Sequence, residues 1–535
     1  MTIREQLNSI AKERVLILDG AMGSIIQSLC LNEADFRGSA FKNHPTPLEG
    51  CNDLLCVTKP EAIGAIHESY LEAGADIIET CSFNSTSISL SDYGLGGMAY
   101  DICAAAAKIA RNSADKFSAN GKPRFVAGSI GPTAKGASLY PDINDPGRRS
   151  ILWDELESAY YDNARGLLDG GADIFLIETV FDTLNAKAAL FAVSRLLEER
   201  RVDVPVIISA AVSDESGRLL SGQSIEAFCA SVLHAKPWAI GLNCSFSAKK
   251  LMPCVRKLAE IAPCFVSAYP NAGLPNRLGR YEEMPDVMSS DIGEYFKEGL
   301  VNVIGGCCGT TPAHIAAIAK EAANCKPRVP PEISRRVFSG LQSLYVADNA
   351  IQINSTANAD NKKEFLLLFG DGEYEDAVDA ARDIVDNGAA VVEIETDDEK
   401  ALGKFLDFAL MNPYAAKAPF FIKSARFNVL EAGLKRLQGR GLVGPLNLKD
   451  GEAEFLCRAE LVLRYGAAAV ITPVDEQGQA ASDERKIEVA RRAYNLLQKN
   501  GYPAENIVFD PLVCEAENPV CSWILDNCPG VLLAL

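Results

Sequence analysis

The sequence predicts an α/β protein composed of two parallel barrels. Short runs of β-branched and apolar residues alternate with helix-forming segments, a pattern typical of a parallel sheet covered by helices. A Gly-Ala pair separates a helical segment from a strand at 74–75, 171–172, 388–389 and 466–467, where the glycine can end the helix. Because these pairs lie on both sides of residue 345, we expect two barrels of similar construction.

The first half of the chain contains eight candidate strands. They lie at 15–19, 76–81, 124–129, 174–179, 204–210, 239–244, 264–269 and 301–307. Helix-forming segments such as 59–73, 156–170 and 312–324 lie between them. Eight strands that alternate with helices predict a closed (β/α)8 TIM barrel over residues 1–325.

The segment that follows the first barrel is rich in proline. Residues 326–336 read Lys-Pro-Arg-Val-Pro-Pro-Glu-Ile-Ser-Arg-Arg. Because proline fixes φ, we expect residues 326–345 to form a semi-rigid linker between the barrels.

The second half, 346–535, offers seven candidate strands and stops on the seventh. They lie at 350–353, 391–395, 420–424, 442–446, 468–472, 506–510 and 530–535. An eight-stranded barrel closes by pairing its last strand with its first. An open barrel, a truncated chain and a different architecture all stay open, and we expect an incomplete, truncated TIM-barrel-like domain.

Composition narrows the class of protein. The formal net charge of −19 disfavours nucleic acid and anionic membranes as partners, since both reward clustered Lys and Arg. The sequence has no uncharged apolar run of the roughly 18 residues that a membrane helix needs. Sixteen cysteines and no apolar signal core predict free thiols in the reducing cytoplasm. With four histidines, a metal site must draw mainly on Cys, Asp and Glu.

Three cysteines lie where candidate strands end. Cys307 and Cys308 follow the eighth strand, and Cys244 follows the sixth. The carboxyl ends of barrel strands meet at one mouth, where this fold places its functional residues. Three thiolates with one exchangeable position predict a catalytic zinc site. Buried cysteines or a vicinal disulfide are the alternatives, because the chain has no CxxC pair.

Carboxylates and backbone amides are predicted at the same mouth. Asp19 follows the first strand and Glu178 lies at the end of the fourth, so the pair could bind an ammonium group. Acids at strand ends are also commonly structural. Gly20, Ala21 and Gly23 offer backbone N–H groups suited to a carboxylate. Together these features describe an amino acid that carries a thiol.

The cysteine motifs resemble the zinc signature of homocysteine S-methyltransferases. They read Gly-Leu-Asn-Cys-Ser at 241–245 and Gly-Gly-Cys-Cys-Gly-Thr-Thr-Pro at 305–312. Residues 1–325 are more narrowly similar to the homocysteine domain of cobalamin-dependent methionine synthases. The supporting stretches lie at 18–23, 52–55, 70–80, 83–87, 177–187, 220–223 and 269–275.

This resemblance implies a methyltransferase that forms methionine from homocysteine. The implied zinc ligands and catalytic residues are Cys244, Cys307 and Cys308. Zinc would hold the homocysteine thiol as a thiolate, which attacks a methyl group in line. Asp19 and Glu178 would hold the amino group, and amides near Gly20 and Ala21 the carboxylate. Asn243 is a further candidate for substrate binding.

Residues 350–512 resemble the pterin-binding domain that takes up methyltetrahydrofolate in the same methionine synthases. The similarity is carried by 429–439, 448–452, 475–480 and 509–511. Relative to that family, polar residues are replaced within 353–358, 393–395, 422–425, 443–445 and 510–512. Asn358 and Asp475 are kept and remain candidate cofactor contacts. Each buried polar group left unpaired costs about 1–3 kcal/mol of binding free energy. We therefore expect a degenerate site that no longer binds methyltetrahydrofolate. A different ligand or a scaffold role are the remaining interpretations.

The methyl donor is not encoded in these two domains. The chain has no corrinoid domain and no Asp-x-His-x-x-Gly cobalt-ligand motif. The resemblance therefore implies methylcobalamin on a corrinoid partner protein or on a cobalamin domain outside this chain. Direct transfer from betaine or S-methylmethionine, and a non-catalytic subunit that binds zinc and docks a corrinoid protein, are the alternatives.

Overall fold

Two parallel sheets, each surrounded by helices, form one closed barrel and one barrel-like sheet of seven strands, and they confirm the predicted α/β class. The computed structural model describes residues 1–118, 122–139, 142, 145, 147–333, 336–347, 349–351, 359–512 and 518–534. Among these residues no helix is long and apolar enough to cross a membrane.

The first sheet has eight strands in the order β1-β8-β7-β6-β5-β4-β3-β2. Its strands are β1 Leu16–Ile17, β2 Ile77–Glu79, β3 Phe125–Ile130, β4 Ile174–Val180, β5 Val206–Ala210, β6 Ala239–Ser247, β7 Phe265–Asn271 and β8 Val303–Ile304. A parallel bridge between Leu18 and Ile77 joins the two ends of the sheet, so the predicted closed barrel is confirmed.

Thirteen helices lie in the first half of the chain among the described residues. They are α1 Ile3–Glu13, α2 Met22–Ser28, α3 Glu33–Arg37, α4 Leu55–Thr58, α5 Pro60–Glu72, α6 Ser87–Leu90, α7 Ala99–Phe117, α8 Trp153–Gly170, α9 Thr183–Arg200, α10 Ile225–Val232, α11 Ala248–Ile261, α12 Pro285–Lys297 and α13 Pro312–Ala322.

Alternate residues of each strand fill the interior of the first barrel, because side chains in a strand point to opposite faces in turn. Phe125 and Ala127 of β3 and Ile174 and Leu176 of β4 belong to this interior cluster. At the carboxyl ends of the strands the inward-facing residues are polar. In this fold the functional residues lie at that end of the barrel, which we call the mouth.

The second sheet has seven parallel strands, in the order β11-β19-β18-β15-β14-β13-β12. They are β11 Ala350–Ile351, β12 Val392–Glu395, β13 Phe420–Lys423, β14 Leu442–Leu446, β15 Ala468–Ile471, β18 Ile507–Phe509 and β19 Leu532–Ala534. The seven predicted strands are confirmed. The last strand pairs with the first, and β11 and β12 are the two ends of the sheet among the described residues.

The remaining elements of the second half cover this sheet and its mouth. They are α14 Ala359–Asp371, α15 Tyr374–Asp386, α16 Glu399–Ala409, α17 Phe427–Leu434, α18 Glu452–Arg464, α19 Asp483–Lys499, α20 Pro519–Asn527 and the hairpin β16 Val474–Asp475 with β17 Gly478–Gln479.

The connector between the barrels is more ordered than the predicted proline-rich spacer. It contains an antiparallel hairpin, β9 Val337–Ser339 and β10 Ser343–Tyr345. Arg328 is buried and donates to the carbonyl oxygens of Ala259, Ala262 and Cys264. Because buried hydrogen bonds fix this segment, it is a packed part of the structure.

Backbone contacts of the hairpin reach both barrels. The Leu341 amide donates to Ala416 O at 2.7 Å, and Leu341 O accepts from the Ser224 amide at 3.0 Å. A buried lysine, Lys187, also crosses between the barrels, with Nζ 2.7 Å from Leu437 O and 3.1 Å from Gly439 O. The two barrels therefore share a bonded interface.

Candidate metal and substrate site

The three predicted cysteines form one cluster at the mouth of the first barrel. Their Sγ atoms all lie within 4.8 Å of one another. Cys244 Sγ is 3.9 Å from Cys308 Sγ, which is 4.0 Å from Cys307 Sγ. Each side chain is half-buried, so the cluster is not sealed inside the core.

These distances fit a zinc ion. A Zn–S bond of about 2.3 Å and tetrahedral angles place neighbouring sulfur ligands about 3.8 Å apart. The observed separations are close to this value without any bond between the sulfurs. Three thiolates would occupy three tetrahedral positions and leave the fourth for a substrate.

The backbone leaves regular strand geometry at each cysteine. Cys244 and Ser245 have φ values of 58° and 63°, a left-handed conformation that non-glycine residues seldom adopt. β8 ends at Ile304, so Cys307 and Cys308 lie beyond the strand and can both face the cluster. Gly309 follows with φ of 80°, which turns the chain toward α13.

The cluster favours a thiolate. Hydrogen bonds from the Cys307 and Cys308 thiols lower the pKa of Cys244 to about 3. The same shared bonds raise the pKa of Cys307 and Cys308. One of the three thiols is therefore held as the thiolate, which is the form of sulfur that binds a metal.

A threonine connects the first and last strand ends of the barrel. Thr310 Oγ1 accepts from the Ala21 amide at 3.0 Å and donates to Cys307 O at 2.7 Å. Tyr70 Oη donates to Ala21 O and to Thr310 O, each at 3.2 Å. A Cβ at Gly20 would lie 2.7 Å from Thr310 Oγ1, so this close approach requires glycine.

The same hydrogen bonds involve one of the two amides that are predicted to bind a carboxylate. Gly20 and Ala21 both lie at the mouth, as the sequence predicts. The Ala21 amide already has a partner within the protein, Thr310 Oγ1. A substrate carboxylate would therefore have to replace that hydrogen bond to use the Ala21 amide.

Asp19 and Glu178 are buried at the same mouth, 2% and 3% exposed. Asp19 Oδ2 accepts from the Glu79 amide at 3.1 Å, and Glu178 Oε1 accepts from Ser129 Oγ. Burial is the main cause that raises the pKa of Glu178 to about 7 and that of Asp19 well above its usual range. A bound cation would restore both carboxylates to the charged form.

Asn243 of β6 bonds to both β5 and β4. Its Oδ1 accepts from the Thr179 amide at 3.1 Å and from Ser209 Oγ at 2.7 Å. Its Nδ2 donates to Thr179 Oγ1 at 2.8 Å. Thr179 has a left-handed φ of 54° where the register of β4 shifts, so the Asn243 side chain holds a strained irregularity of the strand beside Glu178.

Three residues at the mouth have no role predicted from the sequence. Thr310 lies within the 305–312 motif and bonds to the Ala21 amide. Tyr281 lies against Gly309. Glu79 ends β2 with its side chain in the mouth. The inward alternation from Ile77 to Glu79 was the available signal for Glu79. The roles of Thr310 and Tyr281 depend on contacts between distant parts of the chain.

Ion pairs lie at the strand ends of the second barrel among the described residues. Lys423 Nζ lies 3.0 Å from Glu395 Oε2 and 3.8 Å from Glu393 Oε1. Lys362 Nζ lies 2.7 Å from Glu393 Oε2. Three of the charged residues noted in the sequence, Glu393, Glu395 and Lys423, therefore pair with one another or with Lys362.

Of the two predicted pterin contacts, Asp475 lies among the described residues. Asp475 is buried, and its carboxylate is bound by Arg485 Nη2 and by the Gln477 amide. Both of its oxygens therefore have protein partners. Asn358 lies outside the described residues.

Comparison with known proteins finds two protein families that match this chain. The family of homocysteine S-methyltransferases matches residues 16–322, and the family of pterin-binding enzymes matches residues 359–525. Similar solved structures include the homocysteine methyltransferase MmuM from Escherichia coli. Its oxidized form is 22% identical, with a TM-score of 0.46 over 60% of this chain and 99% of that chain. Its metallated form is 23% identical, with a TM-score of 0.45 over 58% and 98%. The chain belongs to the homocysteine S-methyltransferase family and is a methyltransferase with an additional pterin-binding-type domain.

Proposed function

We propose that the protein transfers a methyl group to the thiol of homocysteine and so forms methionine, using zinc held by Cys244, Cys307 and Cys308. The observation that carries this proposal is the cluster of three Sγ atoms within 4.8 Å at the barrel mouth of a homocysteine S-methyltransferase family member. Bound zinc would keep a substrate thiol in its reactive thiolate form at neutral pH.

The surrounding residues would orient the amino acid. Asp19 and Glu178 would accept hydrogen bonds from its ammonium group, since both are buried acids at the mouth. The amides of Gly20 and Ala21 would hold the carboxylate of the amino acid. Asn243 would fix the backbone of β4 at Thr179, beside Glu178. Holding both ends of the substrate aims the sulfur at the incoming methyl group.

For the methyl donor we propose methylcobalamin, carried by a corrinoid protein or by a cobalamin domain outside this chain. The second domain is of the pterin-binding type, which accompanies a homocysteine domain in methionine synthases. Lys423 and Lys362 form ion pairs with acids at its strand ends, which argues against methyltetrahydrofolate as a direct ligand. We place the domain boundary within 326–345 and the enzyme in the reducing cytoplasm, where zinc thiolates stay reduced.

The experiment is methionine formation from homocysteine with free methylcobalamin, measured for the zinc-loaded wild type and for Cys307→Ala. We expect Cys307→Ala to lose both bound zinc and activity. Cys457→Ala is the matched control, because Cys457 is an exposed thiol outside the cluster and its loss leaves zinc and activity unchanged.

Equal rates for the wild type and Cys307→Ala would contradict the proposal. Turnover with betaine or S-methylmethionine in the absence of any corrinoid would contradict the assigned methyl donor while leaving the acceptor assignment in place. Bound zinc and homocysteine without transfer from any donor would favour a non-catalytic docking subunit.

A further inference from the structure

Glu79 is directed into the mouth of the first barrel. It ends β2, two residues after Ile77, which belongs to the interior cluster. Residues two apart on a strand share a face, so Glu79 also points inward. In the register of the sheet Glu79 lies beside Ala127, another interior residue.

This position places Glu79 between the two acids assigned to the substrate ammonium. Its backbone N–H donates to Asp19 Oδ2 at 3.1 Å on the side of β1. On its other side, Ser129 of β3 donates through Oγ to Glu178 Oε1 of β4. Three carboxylates from β1, β2 and β4 therefore line one side of the mouth.

Part of this carboxylate cluster has no partner in the protein. Asp19 is 2% exposed, yet its Oδ1 has no hydrogen-bond partner among the described residues, and the same holds for the buried Oε1 of Glu79. Within that part of the chain no cationic side chain pairs with Asp19, Glu79 or Glu178. Buried acceptors without donors are costly, which indicates that a ligand supplies the donors.

Electrostatics agree with the geometry. Burial, followed by the charges of Glu178 and Asp19, raises the pKa of Glu79 well above its usual range. Three carboxylates cannot all ionise side by side without a compensating cation. An alkylammonium group has one positive charge and three N–H donors, which matches three acceptors.

We propose that Glu79 is the third acceptor for the ammonium group of the substrate and that it restricts the enzyme to thiols carrying an α-amino group. This inference rests on the proposed function, because it assumes that a thiol amino acid occupies the mouth. Glu79 is a substrate-binding residue here and takes no part in the transfer at sulfur.

The test compares homocysteine with 4-mercaptobutanoate, which has the same carbon chain and thiol but lacks the amino group. The kcat/KM ratio for the two thiols is measured in the zinc-loaded full-length wild type and in Glu79→Gln, with methylcobalamin as donor. Glu79→Gln keeps the volume and removes the charge. We expect the ratio to fall about tenfold to a hundredfold, because one charge-assisted hydrogen bond is lost.

The loss is expected mainly in KM for homocysteine, with kcat nearly unchanged, since the ammonium group is bound equally in ground state and transition state. Glu79→Asp keeps the charge and should restore part of the ratio. Asp53→Asn is the matched control. Asp53 is a buried acid whose Oδ2 accepts from the Asn84 amide and Ser85 Oγ, so its replacement should leave the ratio unchanged.

A binding measurement separates this inference from the proposed function. Calorimetry with methionine and with 4-(methylthio)butanoate needs no methyl donor and no free thiol. A wild type that prefers methionine, with that preference lost in Glu79→Gln, supports the role of Glu79 whatever the donor is. An active wild type whose thiol preference survives in Glu79→Gln overturns the inference alone. A wild type that binds neither homocysteine nor methionine overturns both proposals.

Discussion

At the scale of single residues, the site depends on backbone conformations that are rare for their residue types. Cys244 and Ser245 are consecutive left-handed residues, each of which costs about 1–3 kcal/mol in ordinary contexts. Cys244 was predicted as a ligand from its place at a strand end. Its left-handed backbone could not be predicted, because the surrounding strands and not the local sequence hold it there.

Gly309→Ala should reduce zinc affinity and stability together. Gly309 has φ of 80°, and a Cβ there would lie 2.2 Å from Tyr281 Cβ, so the Tyr281 loop must move away from the neighbouring Cys308. Zinc stoichiometry and thermal unfolding would measure both effects. Gly279→Ala is the control, since Gly279 also has a positive φ but nothing within 4 Å of its Cβ position. Equal effects of the two substitutions would contradict a role for the Gly309–Tyr281 contact.

Thr310→Val should destabilise the fold by about 1–3 kcal/mol, because two hydrogen bonds at about 0.5–1.5 kcal/mol each are lost without a change of shape. Those bonds join the Ala21 amide and Cys307 O to the threonine hydroxyl. Denaturant unfolding would measure the change, and Thr310→Ser, which keeps the hydroxyl, should stay close to the wild type. A stability of Thr310→Val equal to that of Thr310→Ser would contradict this account.

At the scale of elements, the alternation of strands and helices predicts all fifteen barrel strands, but not the hairpin in the connector. Strands β9 and β10 are three residues each and follow a proline-rich stretch, so the local pattern favours an irregular spacer. The hairpin forms because its backbone bonds to both barrels, as at Leu341. Its stability is therefore tertiary in origin.

The strand ends of the second barrel lead to a prediction about folate. Calorimetry of the full-length protein with methyltetrahydrofolate should show no micromolar binding. Lys423 already pairs with Glu393 and Glu395, and Asp475 with Arg485, so a pterin ring would have to break ion pairs to find partners. Micromolar binding to the unmodified protein would show that these pairs open for the ligand.

At the scale of the whole molecule, a buried lysine joins the two barrels. Lys187 of α9 is 1% exposed and donates to two carbonyl oxygens of the second barrel, Leu437 O and Gly439 O. Burial lowers the pKa of Lys187 to about 7. A neutral amine still has two N–H donors, which suffices for the two bonds.

This interface predicts a dependence of stability on pH. Below about pH 7 the lysine is protonated in both the folded and unfolded states, and burial of its charge costs stability. Between about pH 7 and 10.5 only the unfolded state keeps the proton, so folding stability rises with pH over that window. Lys187→Met lacks this titration. The difference in unfolding free energy between wild type and Lys187→Met, measured in urea, should therefore grow in favour of the wild type as pH rises. A difference that is constant across this window would contradict a neutral buried Lys187.

The sequence by itself determined the two parallel barrels and the strand ends that carry Cys244, Cys307 and Cys308, because alternation and chain order are local and periodic. It also placed Asp19 and Glu178 at the same mouth. Only the tertiary structure decided that the sulfurs lie at metal-binding distances, that Glu79 joins the two acids, and that Lys423 pairs with an acid at the strand ends of the second barrel. These features depend on contacts between residues far apart in the chain, and a sequence pattern does not contain those distances.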